Sequence, residues 1–444
     1  MAGSQLRHRL VVLDHVCGGP LVRQLTRALF QRYRDNTVAR NAMWISAGQA
    51  MSIGIQAVSF ILLARLLGSR EYGVLAGAVS FVSLFSQYAP AGSGSVFLRY
   101  VSIDRRVAPE YLGNVVLSIA AFGAVLIVSI IIGAHFYLRS IDLGVIVIVA
   151  ISDCIFRQVS MASAQIFQAF EKMKITAALA TSVNASRLVT VCTLLLVLHR
   201  GTAIEWAYAS GTVAGLAAIA ALVLVGSQIR QIRFSGKLLR LRIGEGFGFA
   251  FAASTNSVYN DVDKTLLSHF GMNAANGVYS TAYRVIDFAT TPIWSVYTSA
   301  LPRMFRAGER NVNGTVPTAR KLLVTGLLAG AGVAILCVIC APLLPLLAGK
   351  SFAASISAIR WLALLPVFRA FALSGGAGLT ASGHQNSRSM VQFMAAGFNF
   401  GINLYLIPRY SWLGAAWASL ATDALVGAGN WLLYLYRCRE AQVR

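Results

Sequence analysis

Six cations and five carboxylates fall inside stretches that are otherwise apolar: Arg157, Arg187, Lys264, Arg284, Arg360 and Arg369 against Asp153, Asp261, Asp263, Asp287 and Asp423. A charge inside a hydrocarbon layer costs roughly 2.5 to 3.5 kcal/mol, so such residues pair with one another or face a wet cavity. The chemistry they offer is charge recognition and proton or ion coupling, not bond making. The densest group lies between Gly244 and Arg306. Asn256, Asn260, Asp263 and Lys264 recur there at helical spacing, with Asp261 adjoining, and Arg284 and Asp287 follow three residues apart. This polar stripe is the expected coupling region, with Asp263 or Asp261 as its titrating group. Two readings stand for Asp153 with Arg157 and for Arg284 with Asp287: ion pairs that hold helices together, or groups presented to a cavity. Arg187, Lys264 and Arg369 have no partner on their own helix face and are expected to meet a ligand. Arg360 and Arg369 are nine residues apart, on opposite sides of a straight helix, so only one reaches the cavity unless Pro366 bends the span.

The elements that must position these residues are membrane spans. Of the 444 residues 57% are hydrophobic and 12% charged, about half the charge of a soluble domain. Apolar segments long enough to cross a hydrocarbon core of about 30 Å recur throughout. The expected fold is all-α and polytopic, with twelve transmembrane helices over residues 42–64, 72–97, 112–134, 143–168, 175–198, 203–226, 246–269, 276–300, 321–347, 352–381, 388–408 and 411–436. Their connections leave no room for a separate soluble domain. With the N-terminus inside, 26 of the 38 Lys and Arg fall in inner segments and six in outer ones, an asymmetry that puts both termini in the cytoplasm. The net charge of +22 is accounted for by this topology, and no nucleic acid is implied. Residues 1–40 carry seven Arg and are broken by Gly18, Gly19 and Pro20, so no cleaved signal is expected. A basic amphipathic helix is expected from Leu21 to Tyr33.

The chain also repeats itself. LARLLGSREYGVL (63–75) matches LSHFGMNAANGVY (267–279), aligning Gly68 with Gly271 and Gly73 with Gly277; Ala207 to Ser210 matches Ala416 to Ser419. The two copies are an even number of spans apart, so they are parallel repeats. The expected organisation is a basic N-terminal segment (1–40), a first six-helix bundle (41–230), a basic linker (231–245), a second six-helix bundle (246–436) and a short tail (437–444), with the cavity between the bundles. Other motifs carry less. Cys337 and Cys340 form a CxxC inside an apolar span with no second pair, which reads as core packing. No phosphate-binding GxxxxGK[ST] occurs, and no long loop bears catalytic carboxylates, so an enzyme such as a membrane-embedded polymerase or glycosyltransferase is disfavoured. No metal site and no cofactor are expected.

LARLLGSREYGVLAGAVSF after the first span, YNDVDKTLLSHFGMNAANGVYSTAYRV through the seventh and eighth, and Ala300-Leu301-Pro302-Arg303 resemble the polysaccharide-biosynthesis flippases of the multidrug/oligosaccharidyl-lipid/polysaccharide exporter superfamily. The resemblance runs from about residue 40 to residue 436. It implies alternating access of two six-helix bundles that carry an undecaprenyl-diphosphate-linked oligosaccharide across a bacterial cytoplasmic membrane. Membrane lipids and glycan polymerase or export machinery are the implied partners. The one-charge surplus of cations suits an anionic diphosphate, and the expected contacts are Arg187, Lys264, Arg284, Arg369 and Arg157, with Asn256, Asn260, Asp261, Asp263 and Asp287 as the coupling stripe. The alternative is a cation-coupled drug antiporter of the same superfamily, which calls for acidic residues without that surplus.

Overall fold

In a computed structural model of the chain, residues 37–198, 201–308 and 312–443 are described. They are all-helical. The expected helix at Leu21 to Tyr33 and the side chain of Asn256 lie outside the described residues. Helix α1, Thr37–Ser86, holds the first span and most of the second, joined at Gly68, whose φ of 69° is open to glycine and strained for other residues. After a turn at Pro90 the second span resumes as α2, Ser93–Val101. The remaining spans are α3, Ala108–Tyr137, α4, Leu143–Ala169, α5, Met173–Val197, α6, Ala203–Gln228, α7, Gly236–His269, α8, Asn273–Gly308, α9, Val316–Cys340, α10, Ser355–Ala381, α11, Gln385–Tyr410, and α12, Trp412–Val443.

Eight stretches of the described residues are long and apolar enough to cross a membrane, one of them spanning both arms of α1. The long helices α7, α8 and α12, which are less uniformly apolar, complete the twelve. Several differ from the uninterrupted spans expected. The second span is broken between Ser86 and Ser93, α4 contains a π-helical turn at Ser152–Phe156, and α10 is interrupted after Leu362, just before Pro366. Helix α7 begins at Gly236, so most of the basic linker forms its first turns, with Ser235 Oγ capping the Leu238 amide at 3.3 Å.

The burial pattern shows how the two halves meet. One buried cluster draws on both, from Phe60, Leu66 and Tyr72 to Tyr279, Ile286, Phe352 and Leu362. A second uses the first half alone, around Phe97, Leu112 and Ile166. A third uses the second half alone, around Met304, Trp431 and Tyr434. The molecule therefore has a common core at one end and two separate cores at the other, with a cleft between them.

The common end is closed backbone against backbone. A Cβ on Gly73 would stand 1.7 Å from the Asn273 carbonyl oxygen, and one on Gly277 would stand 1.8 Å from that of Ser69. Each carbonyl lies four residues before the glycine of its own repeat, so the contact is reciprocal, as an approximate two-fold axis requires. Asn276, fully buried beside it, donates from Nδ2 to the Gly73 carbonyl at 3.1 Å. The repeat read from the sequence is thus a physical contact between its two copies.

Gly277→Ala is expected to lower the stability of the detergent-solubilised protein by about 1–3 kcal/mol, because no rotamer relieves a backbone clash. Gly332→Ala, where a Cβ meets nothing within 4 Å, is the control. Thermal unfolding checks this, and equal midpoints for the two variants contradict the crossing.

Candidate functional site

Between the halves lies a cavity of about 910 Å³ walled by α1, α7, α8, α10, α11 and α12. Four cations and three carboxylates line it: Lys264, Arg284, Arg369 and Arg388 with Asp261, Asp287 and Asp423. Helix α1 contributes mostly apolar and hydroxyl groups, so nearly all the charge belongs to the second half.

Arg369 is the hub. Its Nη1 stands 2.6 Å from Asp287 Oδ1, its Nη2 donates to the Tyr283 hydroxyl at 2.7 Å, and its Nε lies 3.5 Å from Asp423 Oδ2. One guanidinium thereby ties α8, α10 and α12 together. Asp423 has a 5% exposed side chain and depends on this cation, whereas Asp287 is 48% exposed and reaches into the cavity. The interruption of α10 puts Arg360 on a separate, exposed segment, and Arg360 does not line the cavity.

Lys264 forms the second group. Its Nζ lies 3.0 Å from Asp261 Oδ1, donates to the Asn260 carbonyl at 2.6 Å and sits 4.7 Å from the centroid of the Tyr283 ring. Asp261 is held from the other half, accepting from Ser83 Oγ at 2.6 Å and Ser80 Oγ at 3.4 Å. Asp263, expected on the same stripe, turns away from the cavity. It is buried, accepts from the Tyr279 hydroxyl and, at 3.3 Å, from Ser419 Oγ, and so ties α7 to α8 and α12.

Arg284 behaves differently. It is exposed to the cavity with its guanidinium 5.9 Å from the Phe60 ring, and it has no carboxylate partner among the described residues. Asp287, three residues on, is engaged by Arg369 instead. The local Arg284 and Asp287 pair considered from the sequence does not form, and Arg369 and Lys264 do have partners.

Among the sequences of curated proteins, no relative matches the chain. The sequence model of the family described as "Polysaccharide biosynthesis protein" matches residues 38–307. The chain belongs to the polysaccharide biosynthesis protein family. The fold of this family member is that of transporters of the MOP superfamily. A multidrug resistance MATE family transporter in its inward-facing conformation shares 13% identity over 88% of this chain and 95% of its own, with a TM-score of 0.72. The outward-facing conformation of a multidrug resistance MATE family transporter gives 0.62 at 13% identity over 90% and 96%. A MOP superfamily transporter from Pyrococcus furiosus, described as having a binding pocket of reversed polarity, gives 0.59 at 14% identity over 91% and 96%. This family member therefore has the fold of multi-pass transporters, and these structural neighbours are themselves transporters.

Not every expected contact lines the cavity. Arg157 is 3.7 Å from Asp153 within one helical turn of α4, and Arg187 on α5 lies within electrostatic reach of Asp153, Arg157 and Arg284. Asp153, Arg157 and Arg187 belong to the first half and do not line the cavity, although Arg187 feels Arg284, which does. Arg388 was missed: it stands in the first turn of α11, beside a loop, where hydropathy assigns it to the cytoplasmic surface. Among the described residues no group of His, Cys, Asp and Glu is placed to hold a metal ion.

Arg369→Gln is expected to cost about 3 kcal/mol or more, because it strands the buried Asp423 carboxylate. Asp423→Asn in the same chain should recover most of the loss. Thermal unfolding of wild type and of the single and double variants measures this, and an Arg369→Gln variant as stable as wild type contradicts the pairing.

Proposed function

We propose that this chain carries a lipid-linked oligosaccharide, joined to its polyprenyl carrier through a diphosphate, across the bacterial cytoplasmic membrane by alternating access. The observation that carries this reading is Arg284, a cation without a carboxylate, facing a cavity in which cations outnumber carboxylates. An anionic head group that leaves water needs fixed positive charge, and a guanidinium meets phosphate oxygens in a two-pronged fork. Paired Lys264 and Arg369 surround that position with charge that is already neutralised. The head group is attracted there without being trapped. A cavity built for a cationic drug would carry the opposite surplus. Of the two aspartates considered for ion coupling, Asp261 is the one that faces the cavity.

Direction follows from topology. The excess of Lys and Arg places the loops at 99–110, 230–242 and 303–321 in the cytoplasm, at the end where the two separate cores stand apart. The closed glycine crossing then faces outward, and the conformation is open to the cytoplasm. The better score against the inward-facing of the two MATE structures supports this. Moving about two negative charges outward across an inside-negative membrane releases about 2.3 kcal/mol per charge per 100 mV. The membrane potential therefore drives export, and the task left to the protein is to lower the barrier at mid-membrane.

Arg284→Ala, Lys264→Ala, Arg369→Ala and Arg187→Ala, expressed in a strain lacking its own flippase, are the test. We expect Arg284→Ala to reduce surface polysaccharide about tenfold, the worth of a charge-assisted hydrogen bond, with the protein still in the membrane and Arg284→Lys restoring part of it. Normal surface polysaccharide from all four Ala variants contradicts the cationic-cavity mechanism.

A further inference from the structure

Most of the cavity's charge sits in its deep part. On α8 the cavity-lining residues Arg284, Asp287, Thr291 and Trp294 recur at helical spacing, so one stripe runs out of the charged zone. At 1.5 Å per residue Trp294 stands about 15 Å beyond Arg284. The displacement is toward the end where the halves keep separate cores, since Tyr297 and Met304, further along α8, belong to the core of the second half alone.

There the wall changes character. Trp294 is 50% exposed, and Gln56 of α1 and Gln392 of α11 line the same cavity. Neither glutamine amide has a hydrogen-bond partner among the described residues. Both lie far from the closed end, Gln56 twelve residues before Gly68 and Gln392 eighteen before Tyr410, whereas Lys264 and Arg284 are each seven from Gly271 and Gly277. The indole is also held in place. Its ring centroid is 5.5 Å from that of Tyr297 at an inclination of 34°, and Tyr297 is buried with its hydroxyl accepting from Arg388. Arg388 is anchored in turn by donating from Nη1 to Thr380 Oγ1 at 3.0 Å.

A fixed aromatic face open to the cavity, with neutral amides across from it, matches a particular ligand chemistry. A phosphate calls for cations, and a prenyl chain calls for a wholly apolar wall. A sugar ring combines the two properties found here. Its C–H face carries partial positive charge and settles on the negative face of the indole, while its hydroxyls exchange hydrogen bonds with amides that both donate and accept. A diphosphate held at Arg284 does not extend to Trp294, so the group that reaches the indole is the glycan.

We propose that Trp294 is the platform on which a sugar ring of the lipid-linked glycan stacks, with Gln56 and Gln392 reading its hydroxyls from the two halves. The chain thereby selects a glycosylated carrier over the bare diphosphate lipid. The proposal rests on the flippase reading above.

The test uses Trp294→Phe, Trp294→Leu and Gln392→Leu with two readouts. One is surface polysaccharide in the flippase-deficient strain that the wild-type chain restores. The other is binding of farnesyl diphosphate, which carries no sugar, to the purified full-length protein by titration calorimetry. Trp294→Leu should lower surface polysaccharide about tenfold and Gln392→Leu about threefold, while Trp294→Phe keeps most of it because an aromatic face remains. All three should bind farnesyl diphosphate as wild type does, which also shows that they are folded. Normal polysaccharide from Trp294→Leu or Gln392→Leu, or an equal loss in Trp294→Phe, overturns the platform and leaves the flippase reading standing. Weaker binding of farnesyl diphosphate by Trp294→Leu overturns the sugar assignment in favour of the prenyl chain. Failure of the wild-type protein to bind farnesyl diphosphate overturns the flippase reading and the platform with it.

Discussion

The rest of the structure hangs on a place where two backbones touch. At Gly73 and Gly277 the repeats cross so closely that neither position has room for a methyl group. This contact holds one end of the molecule together and gives it a single core. At the other end α2 and the start of α7 also meet, with Gly92 and Gly246 backbone to backbone and Arg99 paired with Glu245 at 2.7 Å, while the buried cores of the two halves stay separate. A pair of bundles hinged in this way can exchange the open end only if the crossing separates. The two glycines let the backbones themselves meet there, with the Asn276 amide hydrogen-bonded across the contact to the Gly73 carbonyl.

Charge is distributed according to the same geometry. A carboxylate or guanidinium surrounded by helices must be paired, and Asp423 with Arg369 and Asp261 with Lys264 obey that rule. Arg284 faces the cleft and has water instead, so it remains without a carboxylate partner among the described residues at no comparable cost. The paired groups fix the relative positions of α8, α10 and α12. Asp263 shows that a charge in a span is not always functional in the direct sense, since its hydrogen bonds to Tyr279 and Ser419 lock helices behind the cavity wall.

Much of this was legible before any coordinates. The twelve spans follow from segment length against bilayer thickness, and the repeat follows from glycines at matching positions, whose φ values of 69° at Gly68 and 74° at Gly271 explain why both copies keep them. That the second half supplies the charge of a cavity lying between the halves followed from the stripe around Asp261 and Lys264. Pairing across helices was not legible. Local spacing set Asp287 beside Arg284, but Arg369, 82 residues away, takes it, because sequence distance says nothing about which helices become neighbours. Nor was Arg388 legible, for a residue in the first turn of a span looks like a surface charge until the cleft is seen to reach it. The π-helical turn in α4 has no signature in residue type at all.

The central claim is that the transported species is an anion carried on a lipid. The most direct measurement reconstitutes the wild-type protein in proteoliposomes and follows two fluorescent probes, a short-chain polyprenyl-diphosphate glycan and a lipophilic cationic dye, with the potential clamped and then imposed. The account predicts protein-dependent translocation of the diphosphate lipid, accelerated by a potential negative on the side it leaves, and no protein-dependent movement of the dye. Transport of the dye with no movement of the diphosphate lipid contradicts it.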